Sequence, residues 1–345
     1  MAAREVHYKL RFGSIGRDME DGWETIEPRI IKHWDGASEL LSARTYQHEG
    51  CEVHVTVNWT PYARRLARDH EIMAAVLTRR WTKGDWYSKV SRALKLNAAC
   101  TVKGKNKLSE YPWYPGFFLE YFLYEIFAIS NLACPGSAHF YSLSIEGQGT
   151  RSRDHPRLSN FLFDVWAVES LEGSVQPSAQ VLDLEAVTRW MMEVNPRVTQ
   201  TGETGTQRSL FALYQLCKSD GQVGDILWIF NALESLLSTK VGENFSGLVR
   251  RAALVLGLDA KEASAMSKKL RKLYDLRSSF VHGGYNVAHP IHSEAIDRRL
   301  DAQYEEVFVG TKYGFAVLAA LFQRMISRNM TALRFEERLI DETAP

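Results

Sequence analysis

Residues 266–284 read MSKKLRKLYDLRSSFVHGG. Leu270, Leu273, Tyr274, Leu276 and Phe280 recur at helical spacing and predict an amphipathic helix. Gly283 and Gly284 follow at once and supply a helix stop, because glycine accepts a left-handed cap without penalty. Arg277 and His282 lie near that end. A fixed guanidinium can hold phosphate oxygens through two parallel hydrogen bonds, and an imidazole can move a proton near neutral pH. The pair therefore suits chemistry on a phosphodiester.

Two blocks precede this stretch: ILWIFNALESLL (226–237) and GENFSGLVRRAALVLGL (242–258). With KKLRKLYDLRSSFVHGG (268–284) they resemble, in order, the ApeA-like branch of the HEPN superfamily, small helical domains that include many RNA-cutting toxins and anti-phage effectors. The family hallmark is an Arg, four to six residues, then a His; here it is Arg277-Ser-Ser-Phe-Val-His282. Leu273-Tyr274 and Gly283 fit the same pattern. Ser278 departs from it, since many active members carry Asn, Asp or His directly after the Arg.

The resemblance implies a metal-independent endoribonuclease with no cofactor. The RNA 2′-hydroxyl would attack the adjacent phosphorus, leaving a 2′,3′-cyclic phosphate and a 5′-hydroxyl. Arg277 would stabilise charge on the phosphate oxygens, and His282 would transfer a proton or orient the hydroxyl. HEPN nucleases generally form their site where two copies meet, so a twofold homodimer is part of the expectation. The resemblance gives Glu234 a supporting role, such as an ion pair orienting the motif helix. Ser278 can donate to phosphate or bond back into its own helix.

Lys268, Lys269, Arg271 and Lys272 precede Arg277 and can extend a phosphate track; a solvated outer face explains them equally. His282, His289 and His292 put three histidines within eleven residues, but Pro290 interrupts them and no Cys accompanies them, so no metal is expected. RNA, tRNA among its forms, is the expected substrate, within an anti-phage defence or toxin system, with a trigger or regulatory partner acting on the N-terminal module. The alternatives are a non-catalytic HEPN module binding RNA, nucleotide or a partner protein, and a structural dimerisation protein of a larger complex.

The totals set bounds. The 345 residues suffice for two domains, and 45% hydrophobic with 24% charged residues is ordinary for a folded soluble chain. A net charge of +1 gives the whole molecule no strong pull toward polyanions, so a nucleic-acid surface must be local. Cys51, Cys100, Cys134 and Cys217 form no CxxC pair and read as free thiols of a reducing cytoplasm. The N-terminus shows no signal-peptide pattern. Residues 116–134, GFFLEYFLYEIFAISNLAC, are very apolar, yet Glu120 and Glu125 lie among them. A carboxylate at a bilayer centre costs roughly 2.5–3.5 kcal/mol, which favours a buried helix over a membrane span.

Taken in order, residues 6–12 and 52–59 alternate as half-buried strands do, and residues 26–34 fit a strand or a short helix. Residues 62–81 predict a helix bearing Arg64, Arg65, Arg68, Arg79 and Arg80. Residues 61–110 hold twelve Lys and Arg against four Asp and Glu, with Trp81, Trp86 and Tyr87 among them and Lys103, Lys105 and Lys107 in a polar loop. Such a mixture can engage RNA by phosphate contact and stacking, or be a wet basic face over inward tryptophans. Residues 138–147 and 159–168 read as strands, and 182–194 as a helix. The polar run 195–208 marks a boundary; its Gly202 and Gly205 lack the Gly-Lys-Ser/Thr end of a phosphate loop. Helices are predicted over 209–219, 225–239 with Asp225 as cap, 243–258, about 260–282 with Asp259 as cap, 304–329 and 332–341. The expected class is α+β: a mixed α/β module over 1–195, a linker at 196–208, and an all-α HEPN helical bundle over 209–341.

Overall fold

The structure is a computed structural model that describes residues 3–13, 23–77, 93–147, 149, 156–219, 222–238, 245–289, 291–293 and 295–336. Arg79, Arg80, Trp81, Trp86, Tyr87 and Pro290 lie outside the described residues, as does most of the loop 147–157. The chain divides into two compact units: residues 1–200 with 214–220, and residues 201–213 with 221–345.

Unit 1 is built on five antiparallel strands: β1 (Arg4–Phe12), β2 (Ala43–His48), β3 (Cys51–Val57), β4 (Leu94–Lys103) and β5 (Leu143–Gly147). Their order is β2-β3-β4-β1-β5. Period-two alternation buries Val6, Tyr8, Leu10 and Phe12 of β1 on one face, together with Val53, Val55 and Val57 of β3. The same alternation leaves His7, Lys9 and Arg11 exposed on the other face. The helices of this unit are α1 (Trp23–Leu40), α2 (Thr60–Leu77), α3 (Trp113–Ala133), α4 (Phe161–Leu171) and α5 (Leu184–Val194). Residues 26–34 thus lie in a helix, and Lys103 ends a strand.

The apolar sheet face is closed by aromatic side chains: Phe12 meets Tyr62 of α2 at 5.3 Å between ring centroids, and Tyr46 meets Phe118 of α3 at 5.7 Å. Trp34 and Trp59 are fully buried, and each indole N–H has an acceptor, Ser137 O at 2.7 Å and Leu41 O at 2.9 Å. The very apolar run at 116–134 is α3, and most of it faces this core. Among the described residues no helix is long and apolar enough to cross a membrane.

Two strand expectations are corrected. Residues 161–171 form α4, with Phe163 and Trp166 buried while Phe161 is exposed, a three-residue helical spacing hidden in a continuous apolar run. Within 138–147 only β5 is a strand; Phe140 makes an isolated bridge to Leu158.

Helix α6 (Gly205–Lys218) gives residues to both units. Among the described residues, unit 2 is otherwise all helical: α7 (Asp225–Leu236), α8 (Phe245–Leu256), α9 (Ala260–Val281) and α10 (Arg299–Ser327). The observed class is mixed α/β, with the sheet toward the N-terminus and ten described helices in all. Gly202 and Gly205 serve packing: a Cβ at Gly202 would stand 2.6 Å from Arg208 N, and one at Gly205 would stand 2.4 Å from Ser235 O. The expected Asp225 cap is not formed; Gly224 is the N-cap and Asp225 is buried inside the first turn. The expected helix at 332–341 is absent over 332–336. That segment is held by outside partners instead: Leu333 O accepts from the Ser238 hydroxyl at 3.3 Å, and the Arg251 guanidinium lies 5.1 Å from the Phe335 ring.

Candidate functional site

Helix α9 carries the site, and its start is fixed locally. Asp259 accepts from Glu262 N at 2.8 Å while Glu262 accepts from Asp259 N at 3.0 Å, a complete capping box. Met266, Leu270 and Leu273 then form its buried face. Leu273 packs against two glycines of α10. A Cβ at Gly310 would lie 2.8 Å from Leu273 Cδ1, and one at Gly314 would lie 2.7 Å from Leu273 Cδ2 and 2.8 Å from Ile229 Cγ2. Two glycines one turn apart therefore let α10 grip α9 and α7 together.

One turn beyond Leu273, Arg277 leans on α7. Its guanidinium carbon lies 5.5 Å from the Phe230 ring and 5.7 Å from the Tyr274 ring, within cation–π range. Its Nη2 stands 3.5 Å from Glu234 Oε1. Its Nε is buried and has no hydrogen-bond partner. Arg271 occupies the other side of the same seam, 4.0 Å from the Phe245 ring and 5.7 Å from that of Tyr274. Phe230, Tyr274 and Phe245 touch in sequence, at 5.5 and 5.1 Å between centroids. The seam thus holds two guanidiniums on rings, with Glu234 beside one of them.

His282 is the C-cap of α9 and is exposed. Its backbone N–H donates to Ser278 O at 3.0 Å, and Gly283 follows at φ +75°, a left-handed conformation that favours glycine. Gly284 N donates to Ser279 O at 2.8 Å, closing the helix end. Ser278 is exposed on the last turn.

The remaining cations spread. Lys269 lies 4.7 Å from the Tyr313 ring of α10, away from the seam, while Lys268 and Lys272 are exposed. His292 Nδ1 contacts His289 O at 2.7 Å, and its Nε2 meets the Tyr304 hydroxyl. Among the described residues no group of three His, Cys, Asp or Glu is placed to hold a metal ion.

Sequence reasoning singled out Arg277, His282, Glu234 and Arg271, but not Phe230, Tyr274 and Phe245 as their seat. Tyr274 precedes Arg277 by three residues and follows Arg271 by three, the helical spacing that lets one ring serve both. Unit 1 holds an open cleft of about 640 Å³ lined by Ser38, Glu39, Thr56, Asn58, Thr60 and Asn97 among others. None of its lining residues is Lys or Arg, and Glu39 adds negative charge, so it is a poor seat for phosphate.

No family model matches the chain, and no curated protein or solved structure matches it significantly.

Proposed function

We propose that unit 2 is a metal-independent RNA endonuclease of the HEPN type, acting as a twofold homodimer in an anti-phage defence or toxin system. The observation that carries this is Arg277: a ring-seated guanidinium with one carboxylate at 3.5 Å and a buried Nε lacking an acceptor. The Arg277 side chain is 31% exposed, so a phosphate oxygen can approach its outer donors. Glu234 keeps the guanidinium oriented until the phosphate arrives. His282, exposed at the end of the same helix, would act on the proton of the 2′-hydroxyl or of the leaving 5′-oxygen.

Five residues of helix correspond to about 7.5 Å along the axis and about 140° around it. A single Arg277–His282 couple therefore straddles the helix end. A second copy would place two such couples around one linkage, which favours the dimer.

The test is incubation of the purified protein with tRNA and total RNA in EDTA. Wild type is expected to leave 2′,3′-cyclic phosphate ends. Arg277→Ala and His282→Ala are each expected to lose about a hundredfold or more. Cleavage by both variants at the wild-type rate would overturn the assignment. Ser278 after the Arg motivates a second reading, a HEPN module that binds RNA, nucleotide or a partner protein without cutting. RNA binding unaffected by His282→Ala, with no cleavage under any condition, would favour it.

A further inference from the structure

Four cations precede Arg277 on α9, and their surroundings differ. Lys269 lies on the Tyr313 ring of α10, away from the seam. Lys268 and Lys272 are exposed and touch no ring among the described residues. Arg271 is the one of the four that enters the seam. Its guanidinium carbon stands 4.0 Å from the Phe245 ring, close to carbon–carbon contact, and Phe245 is 5% exposed. A ring fixed in the core of unit 2 therefore fixes the guanidinium, through dispersion and cation–π attraction. The Arg271 side chain is itself exposed and, among the described residues, makes neither an ion pair nor a hydrogen bond, although Asp275 stands one turn on. Arg277, by contrast, has Glu234 beside it. Arg271 offers its N–H fork, already oriented, to an anion arriving from solvent.

Tyr274 joins the two arginines. Each guanidinium carbon lies 5.7 Å from the centroid of its ring, so the two are at most twice that distance apart. A stacked nucleic-acid strand advances ~3.4 Å per phosphate along its axis, and an extended one more. A second phosphate of a strand held at Arg277 falls within reach of Arg271. A lone linkage would engage one guanidinium and leave the other to water.

We propose that Arg271 is a second phosphate site, which holds a flanking phosphate of the RNA strand whose scissile linkage lies at Arg277. The assignment rests on the reading of Arg277 as the phosphodiester site. It makes the substrate a strand with at least two phosphates, and it separates two roles on one helix. Arg277 acts on the linkage that breaks, while Arg271 sets where the strand lies. Lys268, Lys269 and Lys272 have no fixed place in this contact.

The full chain is titrated with a short fluorescein-labelled RNA methylated at every 2′-oxygen, which can bind but has no free hydroxyl to attack. Arg271→Ala is expected to weaken binding about tenfold or more and to lower the slope of log affinity against log salt by about 0.7, the share of one phosphate on a single strand. Because Arg271 is exposed, this truncation leaves the buried face of α9 in place. Arg271→Lys should restore the slope and only part of the affinity, since an ammonium keeps the charge without the planar fork. Lys261→Ala, an exposed cation in the first turn of α9, should change neither. With unmethylated RNA, Arg271→Ala should raise KM and leave kcat near wild type. No binding by wild type, unchanged affinity and slope in Arg271→Ala, or an equal loss in Lys261→Ala would each overturn the second site. Binding results as expected with no cleavage of any RNA would sink the nuclease reading alone. Cleavage by wild type, with Arg271→Ala identical to it in binding and KM, would sink the second site alone.

Discussion

Two buried titrations in unit 1 oppose each other, and separating them tests the electrostatics of its core. Glu125 has its carboxyl raised from 4.5 to about 7 by burial. The folded state keeps this proton after the unfolded chain has released it, so stability is lost as pH rises between those values. His33 of α1 is lowered from 6.5 to about 4 by burial, and its inward Nε2 has no hydrogen-bond partner. Here the unfolded chain takes the proton first, so stability is lost as pH falls from 6.5 toward 4. Each shift spans roughly 2.5 units, worth about 3 kcal/mol over its window and about 1.4 kcal/mol per pH unit inside it. From pH 4.5 to 6.5 the two slopes have opposite sign and cancel. Glu125→Gln should therefore gain stability with rising pH across this range, and His33→Phe should lose it, while wild type stays nearly flat in these two contributions. The assay is urea unfolding at pH 4.5, 5.5 and 6.5, followed by intrinsic fluorescence. Of the nine tryptophans only Trp228 lies beyond residue 200, so the signal reports unit 1. Parallel profiles for wild type and both variants would refute the reasoning, because neither group would then be linked to folding.

Replacing Arg44 by Met should cost about 3–5 kcal/mol at pH 8, where Glu125 is left charged and buried without its guanidinium, and clearly less at pH 5; urea titrations at the two pH values check this. Gly314→Ala should destabilise unit 2 by about 1–3 kcal/mol through contact with Leu273 and Ile229, less about 1 kcal/mol of recovered helix propensity, and Leu273→Ala in the same chain should relieve part of the clash; a double-mutant cycle in thermal unfolding measures it. Asp259→Ala should remove the cap of α9 at about 1 kcal/mol and lower its amide protection from the first turn onward, as hydrogen exchange would read. Gly283→Ala, at φ +75°, should cost about 1 kcal/mol or more in thermal unfolding and fray the turn that presents His282.

The periodic helices were legible in the chain. The run at 182–194, the capped helix ending at Gly283 and the long terminal helix each carry a 3.6-residue apolar pattern, and Asp259 announces a cap before any fold is known. The alternating segments at 6–12 and 52–59 were equally readable as strands. Residues 161–171 were not, because a continuous apolar run satisfies both periods and only burial of Phe163 with Trp166 selects the helix. The helix expected over 332–336 does not form, because local pattern says nothing of Leu333 O being engaged by Ser238 far away in sequence.

The same division holds for the candidate site. Residue type and spacing on one helix put Arg277, His282 and Arg271 in view, since those depend only on near neighbours in the chain. The tertiary structure alone decided what seats them: Phe230 and Glu234 come from α7 and Phe245 from α8, and α10 closes in through Gly310 and Gly314. It likewise decided that Glu125, legible only as a carboxylate in an apolar run, meets Arg44 some eighty residues earlier. Period and capping are properties of adjacent residues and are written locally. Partners of a buried charge are set by which surfaces the core brings together, and that is fixed only when the whole unit has folded.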